Sequence, residues 1–247
     1  MMIETTNKRV ALVLGGSGGI GRSIVKKLVD EDYAVGIHYS SSKLKAEKLV
    51  EEILAGGGQA ISICGDVADE KEMFAAFEQM EKTFGGIDVV VNTAGIMLLS
   101  PIAELNLDDL DKMHRTNIRG TFVISQLAAQ QVRSGGAIIN FSTSVTRTQF
   151  PNYGAYVASK AAVESMSMIL ARELRGKNIT VNAVAPGPTA TPLFLNGKDE
   201  KKIQSLANVV PLERLGEPND ISEVVAFLAG PARWINGQVI FVNGGLA

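Results

Sequence analysis

The sequence predicts an α/β fold, a doubly wound sheet of about seven parallel strands with helices on both faces. Three observations carry that prediction. Short, nearly unbroken apolar runs such as Arg9-Val-Ala-Leu-Val-Leu14 recur along the chain, as strands buried on both faces require. They alternate with segments of helical periodicity, and repeated βα units of this size form a parallel sheet through right-handed crossovers. A glycine-rich turn, Gly15-Gly-Ser-Gly-Gly-Ile-Gly21, stands directly between the first such run and the first helical segment.

Taken in order, residues 9–14 form the first strand and 22–30 the first helix, with Ile24, Val25, Leu28 and Val29 as its apolar stripe. The turn between them reads both as Gly16-x-Gly18-x-x-Gly21 and as Gly15-x-x-x-Gly19-x-Gly21. Either reading lets a pyrophosphate approach backbone N–H groups at a helix amino terminus, so a dinucleotide fold is expected. A strand at 33–39, a helix at 43–55 and a strand at 59–64 follow. Asp69-x-x-Glu72 then has the form of a capping box, opening a helix with Met73, Phe77, Met80 and Phe84 on one face. Residues 87–92 are the fourth strand, and 106–132 a long helical region carrying Asn117. The strand at 136–141 leads through a hydroxyl-rich loop into a helix over 153–175. A strand at 178–184, a Pro186-Gly-Pro turn, a polar and mobile segment at about 191–210, a helix at 220–229 and a strand at 237–242 complete the chain. With no internal repeat, low-complexity tract or linker in 247 residues, one domain over 1–247 is expected.

Composition narrows the function. A net charge of −2 gives no electrostatic case for nucleic acid or an anionic membrane. The amino terminus lacks the features of a signal peptide and no apolar run approaches membrane-spanning length, so a cytoplasmic protein is expected. Cys64 ends an apolar run and reads as a buried small hydrophobe. His38 and His114 have no acid or thiol at ligand spacing, so no metal site is expected.

The second strand lacks the acid that commonly binds the adenosine ribose: none lies between Asp32 and Glu47. Tyr39, Ser40, Ser41, Ser42 and Lys43 stand there instead, where hydroxyls, a Lys and a helix amino terminus suit a 2′-phosphate. NADP(H) is therefore favoured over NAD(H), although Ser40 to Ser42 also suit a plain helix cap. Asp66-Val67 and Asn92-Thr-Ala-Gly95 fall at the carboxyl ends of strands three and four, the edge where this architecture binds ligands. Both also suit turn chemistry.

Tyr156 and Lys160 lie one helical turn apart on one face. A Lys charge about 4 Å from the phenol, at an effective dielectric near 20, is worth about 4 kcal/mol before screening. That would bring the phenol from its usual pKa near 10 to where it exchanges protons near neutrality.

Jointly these residues resemble the classical short-chain dehydrogenase/reductase family over nearly the whole chain. The motifs occur in family order: Gly15-x-x-x-Gly19-x-Gly21, Asp66-Val67, Asn92-x-Ala94-Gly95, Asn117, a hydroxyl loop, Tyr156-x-x-x-Lys160, Pro186-Gly187 and Thr191. Pro211-Leu-x-Arg-x-Gly-x-Pro-x-Asp-Ile221 and the Gly237-Gln…Asn243-Gly-Gly245 ending are similar to bacterial 3-oxoacyl-carrier-protein-reductase-like members. The resemblance implies a Rossmann-type sheet and makes Tyr156 the general acid in carbonyl reduction. It makes Lys160 the residue that lowers the phenol's pKa and binds the nicotinamide ribose, and Asn117 the holder of a relay water. It puts Gly15, Ser17, Gly19, Ile20, Gly21, Ala94 and Gly95 along the cofactor with Asp66, Val67 and Asn92, and adds Pro186, Gly187, Thr189 and Thr191. It also implies a homotetramer or homodimer, with the helices 106–132 and 153–175 packed on other subunits.

Leu14, Gly18 and Thr93 depart from the pattern, where relatives often carry Thr, Arg and Asn. The Gly18 departure counts against NADP. For the substrate-binding hydroxyl, counting from Asn140 favours Thr143 while the following Val favours Ser144; Ser144 is chosen, with Thr143 and then Ser142 as alternatives. The expected activity is NADP(H)-dependent reduction of a ketone or 3-oxoacyl carbonyl. An NAD-dependent dehydrogenase of a secondary alcohol, sugar or steroid is the alternative, and a catalytically silent nucleotide-binding protein the third reading.

Overall fold

Seven parallel strands, in the spatial order β3-β2-β1-β4-β5-β6-β7, form the sheet of this computed structural model, which describes residues 8–247. They are β1 (Val10–Leu14), β2 (Ala34–Tyr39), β3 (Gln59–Cys64), β4 (Ile87–Asn92), β5 (Val132–Phe141), β6 (Thr180–Pro186) and β7 (Val239–Val242). Alternation along β1 explains its unbroken apolar run. Ala11 and Val13 pack into one core with the helices α1 (Gly19–Asp30), α2 (Lys43–Ala55) and α10 (Pro218–Ala229). Val10, Leu12 and Leu14 pack into the other with α3 (Glu70–Phe84), α5 (Gly120–Gln131) and α7 (Gly154–Glu173). Every residue of β1 is fully buried because both faces of the strand are core.

The strand order reverses direction between β1 and β4, and the carboxyl ends of those strands diverge into a crevice where such sheets bind ligands. Met73, Phe77, Met80 and Phe84 are buried on one face of α3 as expected. The capping box is only half present: Asp69 accepts from the Lys71 and Glu72 N–H groups, each at 2.9 Å, but Glu72 takes the Asp66 N–H at 2.7 Å.

Three segments differ from expectation. The long helical region is α4 (Leu107–Met113), one π turn at His114–Arg119 and α5, with Asn117 inside the π turn. Such turns insert a residue into a helix and often mark functional sites. The segment 191–210 is largely helical: α8 (Pro192–Leu195) opens at Thr191, whose hydroxyl accepts the Phe194 N–H, and α9 (Glu200–Asn208) opens at Asp199, which accepts the Lys202 N–H at 2.7 Å. Polar caps, read in the sequence as loop residues, here start helices. Cys64 is exposed, because β3 is the edge strand and its last residue faces the ligand crevice. Among the described residues no helix is long and apolar enough to cross a membrane.

Candidate active site

The glycine turn forms one wall of a groove of about 790 Å³ over the ends of β1 to β4. Gly15 has φ +72°, a conformation that glycine adopts without steric cost, and its carbonyl accepts the Gly18 N–H at 3.0 Å. A Cβ on Gly21 would collide with that carbonyl, so α1 begins close against the turn and leaves backbone amides facing the groove. Ser17, Gly19, Ile20, Tyr39, Ser40, Ser41, Ser42, Asp66, Val67, Ala94, Gly95 and Thr191 line the same groove. Ser42 occupies the N-cap of α2 yet makes no side-chain cap bond, which leaves its hydroxyl for a ligand.

Two expected cofactor residues stand elsewhere. Lys43 does not line the groove; its ammonium lies 3.7 Å from the Glu47 carboxylate, one turn along α2. Asn92 is buried beneath the groove, donating to the Thr121 hydroxyl at 3.1 Å and accepting the Ala94 N–H at 3.3 Å. It therefore shapes the backbone at Ala94 from below. Thr93, where relatives often carry Asn, donates its hydroxyl to the Leu14 carbonyl at 2.7 Å and ties the end of β4 to the end of β1.

His38 was not anticipated in this role. Its Nδ1 accepts the Gly15 N–H at 3.3 Å and its Nε2–H donates to the Gly65 carbonyl at 2.9 Å, so the ring cross-links the glycine turn to the residue after β3. Both bonds together require the neutral ring. Burial lowers its pKa from 6.5 to about 4. As pH falls from 6.5 towards 4 the unfolded chain takes up a proton that the folded ring refuses, so stability drops across that window. The loss approaches about 3 kcal/mol. Denaturant titrations at pH 7 and pH 4 should show that loss in the parent and a correspondingly smaller one in His38→Asn; equal pH dependence in both proteins would rule it out.

Next to the groove, a cavity of about 150 Å³ is lined by Gly95, the loop after β5, Tyr153, Tyr156, Lys160, Pro186, Gly187, Thr189, Thr191 and the aromatic and aliphatic side chains of Phe150, Leu193 and Phe194. The loop is held from α7 at two levels. The Lys160 ammonium donates to the Phe141 carbonyl at 2.8 Å. One turn further on, the buried Glu164 accepts the hydroxyls of Ser142 and Thr146 at 2.6 and 2.8 Å. Those two residues flank Thr143, and the spacing of Glu164 from Lys160 was the available signal for its role.

The hydroxyl assignment changes. Ser144 is 1% exposed and donates to the Ala185 carbonyl at 3.2 Å, whereas Thr143 is the loop side chain close enough to the Tyr156 phenol to oppose the rise in its pKa. Counting from Asn140 along β5 arrives at this residue, because the extended strand continues as far as Phe141. Ser144 already has helical backbone angles, and its hydroxyl goes to β6.

The expected depression of the phenol's pKa is absent. The Lys160 ammonium lies 6.0 Å from the centre of the Tyr156 ring, and its bond goes to the Phe141 carbonyl. Tyr156 keeps part of its surface open to the cavity, yet the protein packed around the phenol pushes its pKa up to about 12, with Thr143 opposing and Tyr153 adding. Lys160 is buried, and burial lowers its pKa to about 8. Desolvation outweighs the attraction between the two groups.

Asn117 is fully buried. Its side chain clamps Ile96, accepting the N–H and donating to the carbonyl, both at 2.9 Å, and donates to Ser159 at 3.0 Å. A Cβ on Gly95 would lie 3.2 Å from both the Asn117 Oδ1 and the Lys160 Nζ. The missing side chain leaves the space above Lys160 open to a ligand's ring and ribose.

Residues 15–247 match the family model described as enoyl-(acyl carrier protein) reductase. A short-chain type dehydrogenase/reductase of Picea abies is 42% identical over 96% of this chain and 92% of its own length. The chain belongs to the short-chain dehydrogenase/reductase family. The 3-oxoacyl-[acyl-carrier-protein] reductase FabG of Staphylococcus aureus is 43% identical over 96% of this chain and 97% of its own. Among solved structures, a blue fluorescent protein from a metagenomic library, in complex with NADPH, superposes with a TM-score of 0.91 at 38% identity, covering 99% of this chain and all of its own. The family places the protein among the oxidoreductases, and its Rossmann-type sheet agrees with the observed strand order.

Proposed function

We propose that this protein is an NADP(H)-dependent reductase of a ketone or 3-oxoacyl carbonyl, with Tyr156 as general acid. The observation that carries the reading is the placement of Tyr156 and Thr143 on the wall of an apolar cavity that adjoins the cofactor groove. The groove fits a dinucleotide: its glycine turn packs the amino terminus of α1 against the groove with no side chain between, and Ser40 to Ser42 stand where an acid would repel a 2′-phosphate. The NADPH-bound relative supports the same cofactor.

Bound nicotinamide supplies the hydride; the chain supplies orientation and the proton. Thr143 holds the carbonyl oxygen against Tyr156, and Tyr156 gives its proton as the alkoxide forms. Lys160 fixes the carboxyl end of β5 and offers its charge to the nicotinamide ribose. Asn117 keeps the Ile96 backbone in place and holds the relay water. Exposed Leu107, Phe122 and Ile169 on α4, α5 and α7 suit burial in a homo-oligomer.

The decisive experiment compares initial rates with NADPH and NADH across ketones, quinones and acyl thioesters. Turnover with NADPH at a kcat/KM at least about tenfold above NADH is the expected result. A clear preference for NADH overturns the cofactor assignment, and cofactor binding without turnover overturns the activity.

A further inference from the structure

Resting on the reductase reading, we infer that the cavity carries a second substrate-binding group, the Tyr153 hydroxyl, and that the substrate is a neutral carbonyl compound bearing another oxygen on the adjacent carbon or the one beyond. A 1,2- or 1,3-dicarbonyl, or the corresponding hydroxyketone or ester, has that chemistry.

The inference comes from accounting for every hydroxyl in the cavity wall. Thr93 donates to Leu14, Ser142 to Glu164, Ser144 to Ala185, Thr189 to Gly187 and Thr191 to Thr189. Thr143 and Tyr156 engage each other. Tyr153 also lines the cavity and is half-buried, but its hydroxyl bonds to none of the described residues. A half-buried donor without a protein partner is satisfied by whatever fills the cavity.

Its position sets the distance. The Tyr153 and Tyr156 rings meet edge to face with centroids 6.5 Å apart, and Phe150 braces Tyr153 from the other side at 6.2 Å. With Tyr153 at the N-cap of α7, three residues before Tyr156, and both rings on the wall of one cavity, the two phenols address one small ligand. Burial raises the Tyr153 pKa, so it donates throughout the neutral range. The charge of the ligand follows from the other walls. Lys160 is the one charged side chain lining the cavity among the described residues, and its ammonium is already bonded to Phe141. Met97, Val145, Leu193, Phe194 and Leu206 supply apolar surface. A neutral ketone or ester oxygen as the second group suits the Tyr153 donor in that apolar surround without the desolvation cost of a charged one.

Matched pairs of substrates test this. Tyr153→Phe removes one oxygen and keeps the edge-to-face stack. With NADPH it should lower kcat/KM for ethyl acetoacetate and butanedione about tenfold or more, while methyl pentyl ketone and butanone change by less than about threefold. NADPH affinity, read by fluorescence, and the melting temperature should match the parent. Equal losses on both members of each pair, or no loss on either, overturn the inference and leave the reductase reading intact. If the parent binds NADPH and reduces no member of any pair, the reductase reading fails and the second-oxygen site falls with it.

Discussion

Tyr156→Phe should bind NADPH as the parent does and reduce its substrate about a thousandfold more slowly, inside the roughly 10²–10⁴ range for loss of a positioned proton donor. The substitution removes only the phenolic oxygen, and the ring stays packed beside Tyr153. No other group takes over the proton. The Lys160 ammonium lies 6.0 Å from the ring centre and is committed to the Phe141 carbonyl, and the Thr143 hydroxyl is a far weaker acid than an ammonium or a phenol. Single-turnover rates at saturating NADPH separate the chemical step from cofactor binding. A variant retaining more than about a tenth of the parent rate would exclude Tyr156 as the acid.

The second large effect distinguishes neighbouring hydroxyls. Thr143→Val keeps the side-chain shape and removes the oxygen that bonds Tyr156, so kcat should fall about 10²- to 10³-fold, as when one polarising donor is lost from a reacting oxygen. Ser144→Ala removes a bond to the Ala185 carbonyl, which joins the loop to β6. That variant should lose about 1 kcal/mol of stability and less than about threefold in kcat. The pair is measured by steady-state kinetics and thermal melts on both proteins. The reverse pattern, with Ser144→Ala crippled and Thr143→Val active, would return the role to Ser144.

The strands were legible in the sequence because burial on both faces leaves a continuous apolar run, and 43–55, 59–64 and 87–92 match the observed elements residue for residue. The groove was legible for a similar reason. Glycines, and the lack of an acid after the second strand, are local signs of a backbone that must come close to phosphate. The helices within 191–210 were not, because Thr191 and Asp199 read equally well as loop or cap until the hydrogen bonds they accept are known. Tyr153 was within reach, since it sits three residues before Tyr156, at the N-cap of the same helix. His38 was not, because its partners at Gly15 and Gly65 belong to other strands' ends.

By itself the sequence determined the α/β architecture, the turn that receives a dinucleotide, and the Tyr–Lys helix, since each follows from periodicity or from residue types a few positions apart. Tertiary structure alone decided which hydroxyl meets the phenol, where Lys43 and Cys64 point, and in which direction the phenol's pKa moves. Those outcomes depend on distances between segments remote along the chain and on how much water the packing excludes. A helical spacing brings an amine near a phenol, but how far the packing desolvates the phenol decides which way its pKa moves.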